Sequence, residues 1–309
     1  MSPIVFFSPG LKPDTRLTVF DQEFQVHSMI LKLHSAFFRK FLDSADKTSI
    51  ASNGQPFKYD WVTKVDAKEE WHLVCRGAKA QTSAFEKFLC AVYNHPYAIV
   101  DANEFLELVE LADYYCALPT LSRTFDGAMM RSPQFVTDIR YKSLDLLVAA
   151  TKIRNALLFR EALVWIVGPH NHPEYRNLND RRLRSLARCA HGEISTRIST
   201  VMQHLLTRAH DMTTFRFAHN FDAAALDPHA IDNIIYGDAM TFPSYFRNLV
   251  VGFPELSNLK SIHQLLENRL KLSGSHLVAG EANEGLADYF LCASVADEDL
   301  PWDPEELDF

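Results

Sequence analysis

PDTRLTVFDQEFQVHSMILKLHSAFFRKFLDS, residues 13–44, is the stretch whose reading decides the fold. Arg16 to Phe20 and Glu23 to Val26 are short β-prone runs separated by Asp21 and Gln22, which suits a hairpin. Leu17 and Val19 share one face with Phe24 and Val26. HSMILKLHS and SAFFRKFLDSA then predict two short helices, the second opened by Ser35 as N-cap. Phe37, Phe38, Phe41 and Leu42 fall on one stripe of that second helix, where they serve as core or as interface.

Further along, residues 43–56 are polar, with Asn53, Gly54 and Pro56, and predict a loop. Phe57, Tyr59, Trp61, Thr63 and Val65 alternate with polar neighbours, as do Trp71, Leu73 and Cys75, which predicts a second hairpin. Ser83 and Glu86 form a capping box before a helix bearing Phe85, Phe88, Leu89, Val92 and Tyr93, stopped by Asn94 and Pro96. Asp101 and Glu104 repeat the device, and Pro119 suits the first turn of another helix.

Beyond residue 132 the pattern turns helical. Ser132 and Pro133 give a start, and Gly168 and Pro169 stop the run after NALLFREALVWIV. Near-helical spacing of Leu183, Leu186, Ala190, Ile194, Ile198, Val201 and Leu205 predicts a long helix from Arg181 to about Arg208. Residues 211–255 read as irregular, LSNLKSIHQLLENRLKL as one more helix, and DEDLPWDPEELDF as an acidic tail. The fold class expected is α+β: a small sheet capped by helical hairpins over 14–125, then a mainly α-helical region over 132–309.

Composition narrows the function classes. A formal charge of −8 in 309 residues leaves no surplus of Lys and Arg for general phosphate binding, so nucleic acid is not expected as a partner. Five widely spaced cysteines predict reduced thiols, hence a cytoplasmic or nuclear protein. The opening MSPIVFFSPG lacks a basic leader, no run approaches a membrane span, and neither a signal peptide nor a membrane partner is expected. Its IVFF, 4–7, leaves a swapped strand, an intrachain strand and a loose terminus open.

The order of Asp14, the hairpin, Phe24, His27, Ser35 and Phe38 resembles the opening of the BTB/POZ family. FEKFLCAVYNHPYAI resembles that family's next helix and turn, and FLELVELADYYCALPTL its closing helix pair. The resemblance covers 14–125 and implies protein binding, commonly homodimerisation, and in many members recruitment of a substrate to a cullin RING ubiquitin ligase. Phe37, Phe38, Phe41 and Leu42 would then lie at the dimer interface, and 132–309 would select the partner. Three departures stand out, one being the hairpin 57–75, which lengthens the usual short connection before the third helix. Ser28 replaces the basic residue that often follows the His, and no Glu occurs between Glu23 and Glu69, where cullin binders carry an apolar-x-Glu motif. A dimeric scaffold or transcriptional co-regulator without ligase binding is the alternative.

An enzyme is not expected, because no stretch combines nucleophile, base and stabiliser. His27 sits at a strand-to-helix junction, and SGSH, 273–276, places Ser and His side by side without triad geometry. His170 with His172 and Cys189 with His191 are the nearest approach to metal spacing, without C-x-x-C or H-E-x-x-H, so neither a metal nor a cofactor is expected. Cys90 and Cys116 read as buried, inert thiols. Arg176, Arg181, Arg182, Arg184 and Arg188 form a candidate patch for an acidic ligand, or a solvated helix face. Asp297, Glu298, Asp299, Glu305, Glu306 and Asp308 of the tail are expected to dock there in competition with a partner.

Overall fold

Strict alternation sets the sheet. In the computed structural model, which describes residues 2–44, 57–62, 78–214, 241–253, 256, 259–272, 274–303, 305–306 and 309, the strands are β1 (Ile4–Val5), β2 (Thr15–Val19), β3 (Gln22–Val26) and β4 (Tyr59–Val62). β2 and β3 run antiparallel, with Val19 opposite Gln22, and bury Leu17, Val19, Phe24 and Val26. The two-residue turn holds Phe20 at φ +52°, the left-handed geometry such tight loops need. β1 adds parallel to β3 and β4 parallel to β2, giving the order β1-β3-β2-β4. Residues 4–5 are thus an intrachain strand. The expected second hairpin is a single strand as far as Val62, and its return arm, 71–75, lies outside the described residues.

The described residues divide into two compact units. The first comprises Met1–Asp138, Val148–Asn155 and Asp303–Phe309. Its helices are α1 (Ser28–His34) and α2 (Ala36–Leu42), which precede β4, then α3 (Ala78–Val92), α4 (Ala102–Tyr114), α5 (Leu118–Met129) and α6 (Pro133–Asp138). Ser35 caps α2 as expected, accepting from the Phe38 N–H at 3.1 Å, while its hydroxyl donates to the Tyr115 carbonyl at 2.6 Å. Asp101 caps α4 by accepting from the Glu104 N–H, and Glu104 accepts from the Val100 N–H. The Ser83 capping box does not form. α3 starts earlier, at Ala78, because AKAQ is itself good helix-forming sequence, and the Ser83 hydroxyl donates to Glu104 instead.

Aromatic rings fill this core. Tyr115 stacks on Phe38 and Phe88, both at 5.2 Å, and Phe85 bridges from Tyr115 to Phe24 on the sheet. Phe135 of α6 packs against Phe105 and Phe125, and Asp138 accepts from the Ala102 N–H, which ties residues past 125 into the first unit. Full burial of each such ring stabilises by roughly 1.5–3 kcal/mol.

The second unit comprises Ile139–Leu147 and Ala156–Trp302. Its helices are the start of α7 (Ser143–Lys152), then α8 (Ala156–Val167), α9 (Arg181–Thr214), α10 (Phe242–Gly252) and α11 (Lys260–Leu266). α8 is apolar apart from Arg160 and Glu161, and it is buried throughout 161–167. It ends at Gly168, where a Cβ would lie 2.8 Å from the Val164 carbonyl and 2.9 Å from that of Phe290. Asp180 caps α9 by accepting from the Arg182 and Leu183 N–H groups, and Leu183, Ala190, Ile194, Ile198, Val201 and Leu205 line its buried stripe.

Two expectations change here. The stretch 211–255 is not irregular throughout: α9 continues to Thr214, and Thr241 opens α10 with Pro243 in its first turn. The helix expected over 256–272 is only Lys260–Leu266. Chain continuation as helix is overridden by tertiary hydrogen bonds: the buried Glu161 carboxylate accepts from the Lys271 and Leu272 N–H groups, and Asn268 donates to the Leu277 carbonyl.

Candidate protein-interaction surface

α1 has no cap of its own, because His27 precedes it and makes no side-chain capping bond. Asp14, just ahead of β2, supplies one. Its carboxylate accepts from the Ser28 N–H and the Ser28 hydroxyl, both at 2.6 Å. Burial opposes ionisation of Asp14, but the Ser28 hydroxyl and N–H outweigh it and hold the carboxyl below its ordinary value. A carboxylate at a helix N-terminus also meets the positive end of the helix dipole.

The other side of the junction is closed by Tyr93. The His27 N–H donates to the Tyr93 oxygen at 2.7 Å, and the His27 Nδ1 lies 2.9 Å from the same oxygen. Burial pushes the Tyr93 pKa up, so its hydroxyl keeps the proton in this contact. His27 is buried with Nδ1 engaged and Nε2 without a hydrogen-bond partner, and its contact with Tyr93 fixes the strand-to-helix turn.

This junction determines which way α1 faces. Ser28 and Leu31 point inward, and Met29 and Leu33, four residues apart, point outward at 62% and 69% exposure. Phe7, just after β1, is exposed too. Sequence reading missed Met29 and Leu33, although SMILKL is apolar on more sides than one helix of seven residues can bury.

The expected interface stripe splits. Phe38 and Leu42 are core residues, 0% and 2% exposed, and touch no surface. Phe37 and Phe41 are half-buried and stack on each other at 5.2 Å, with the exposed Tyr114 ring 5.6 Å from Phe37. The stripe turns inward at Phe38 because Tyr115 offers it a parallel ring.

In the second unit, Arg176, Arg181, Arg182, Arg184 and Arg188 are all exposed around the start of α9. Arg184 is spent on the carbonyls of Leu178 and Asn179. Arg182 lines an open cleft of ≈ 470 Å³ together with Cys189, Glu193 and Asp299. Of the tail carboxylates, Asp299 lies in the Arg182 cleft, Asp297 pairs with Arg160 in the same unit, and within the first unit Glu306 pairs with Arg154 at 2.6 Å, so the expected docking on the 176–188 cluster is met at Asp299 alone among the described tail residues.

His170 comes against His191, not His172, with the rings stacked at 5.0 Å. The His191 Nε2–H donates to the His170 carbonyl at 3.1 Å, and burial followed by the neighbouring His191 pushes His170 down to about 4. Among the described residues no three His, Cys, Asp or Glu side chains converge as a metal site would require. Cys90 is half-buried, and burial pushes its thiol up to about 11. Cys116 departs from the buried reading: it is exposed, at φ +48° just past α4.

No described helix is long and apolar enough to cross a membrane. No family model and no curated protein matches the chain.

Proposed function

We propose that the chain is a protein-interaction adaptor of BTB/POZ type, which dimerises through its N-terminal unit and uses residues 132–309 to hold a partner protein. The observation that carries this reading is the outward pair Met29 and Leu33 on a helix clamped at its start by Asp14. Two adjacent large apolar side chains fixed in water gain about 1.5–3 kcal/mol each when fully covered. A second copy offers the same pair in return, as a twofold interface requires. The element order supports the reading as well: hairpin, two short helices, a further strand, then α3 and the α4–α5 pair over 14–125.

The family resemblance implies a cullin RING ligase as the shared complex. A dimeric scaffold without ligase binding is favoured by one observation, the lack of any Glu between Glu23 and Glu69. Light scattering of the purified chain tests the dimer, and pull-down with a cullin separates the two readings. A monomer at tens of micromolar that captures no consistent protein from extract overturns both.

A further inference from the structure

We propose that Arg154 is a recognition site for acidic segments carrying an aromatic residue, and that Asp303, Glu306 and Phe309 occupy it as a built-in ligand which a partner's segment displaces. Arg154 lies in the turn two residues past α7, stands at φ +53°, and is followed by Asn155, whose amide donates to Asp126 at 2.6 Å. The position is therefore held within the first unit. From it the guanidinium reads three kinds of group at once. One nitrogen donates to the carbonyls of Asp303 at 3.3 Å and Glu306 at 2.9 Å, the other to the Glu306 carboxylate at 2.6 Å, and the carbon of the group lies 3.9 Å from the centre of the Phe309 ring. A planar cation with several in-plane donors and a flat face can do this, and an ammonium cannot.

The two sides of the contact differ. Arg154 is 17% exposed, whereas the Glu306 side chain is 52% exposed and Asp303 and Glu305 also face water. The Asp303 carboxylate turns onto the Glu305 N–H at 2.9 Å, so a local turn presents the segment. An exposed ion pair by itself holds weakly, and the segment stays docked mainly because it is tethered nearby. A segment with the same features, a Glu followed three residues later by an aromatic ring, can therefore compete from another protein. This inference does not depend on the adaptor reading, since it concerns only what Arg154 grips.

The test uses the full chain and a fluorescent peptide of residues 301–309, PWDPEELDF, with binding followed by anisotropy at low salt. A double variant, Glu306→Ala with Phe309→Ala, vacates the site and is expected to bind the peptide at least about tenfold tighter than wild type. Adding Arg154→Lys is expected to abolish that gain, and roughly 0.5 M salt to weaken it. Equal binding by wild type and double variant, or no saturable binding up to millimolar peptide, overturns the proposal. Should Arg154→Lys lower the melting temperature enough to unfold the chain, peptides carrying Glu→Gln or Phe→Ala at positions 306 and 309 decide instead. Unchanged affinity of both altered peptides overturns it.

Discussion

The Asp14 carboxylate reaches 14 residues along the chain to both donors of Ser28, at 2.6 Å each, and so caps a helix that the sequence leaves without a local cap. Replacing Asp14 by Ala is expected to cost about 1–3 kcal/mol, since two charge-assisted hydrogen bonds and a helix-dipole contact go together. Urea denaturation measures the loss, and an unchanged midpoint refutes the capping role. The pH dependence has a definite sign. The folded carboxyl titrates below the unfolded one, so its stabilisation is complete above the ordinary carboxylate range and disappears as pH falls through the folded value. Asp14→Asn should flatten that acid limb.

Met29 and Leu33 separate association from stability. Met29→Glu with Leu33→Glu should yield a monomer by light scattering while changing folding stability by only about 0.5 kcal/mol, because both side chains are exposed. Phe38→Ala should instead cost roughly 3–5 kcal/mol, as the ring is fully buried against Tyr115. A double Glu variant that remains dimeric removes Met29 and Leu33 from the interface.

Glu161 is a buried carboxylate that accepts from the Lys271 and Leu272 N–H groups, at 2.9 and 3.2 Å. Glu161→Ala leaves two backbone donors without that acceptor and should cost on the order of 2–4 kcal/mol. Hydrogen exchange at Lys271 and Leu272 should rise with it. Protection that persists at both amides would show that the carboxylate does not hold this segment.

His170 makes stability depend on pH in the mildly acidic range. Its folded value is pushed down to about 4, below the ordinary value of 6.5, so the unfolded chain binds the extra proton first. The stabilisation is therefore complete above about 6.5 and lost as pH falls towards 4. With solvent screening allowed for, the effect is on the order of 1–2 kcal/mol. His170→Gln should reduce the pH dependence of thermal unfolding between those limits, and a slope equal to wild type refutes the assignment.

Local rules made much of the fold legible in advance. The alternation of Leu17, Val19, Phe24 and Val26 specified the first hairpin, Ser35 and Asp101 capped the helices they precede, and Gly168 ended α8. Each of these depends on neighbours a few residues away, within reach of pattern reading. Errors arose where a distant partner outweighed the local preference. Glu161 drew Lys271 and Leu272 out of a helix, and Glu104 took the Ser83 hydroxyl. The surface was harder to read than the core. A stripe of Phe37, Phe38, Phe41 and Leu42 looks continuous in sequence, yet Tyr115 decides that Phe38 turns inward.

By itself, then, the sequence determined the first hairpin, the starts of α2, α4 and α9, the end of α8 and the absence of surplus positive charge, because hydrophobic period and capping chemistry act over one or two turns. Only the tertiary structure decided that Asp14 caps α1, that Met29 and Leu33 face outward, and that Glu306 and Phe309 meet Arg154. Those outcomes depend on groups far apart in the chain, whose meeting is set by the packing of the whole unit and not by any local preference.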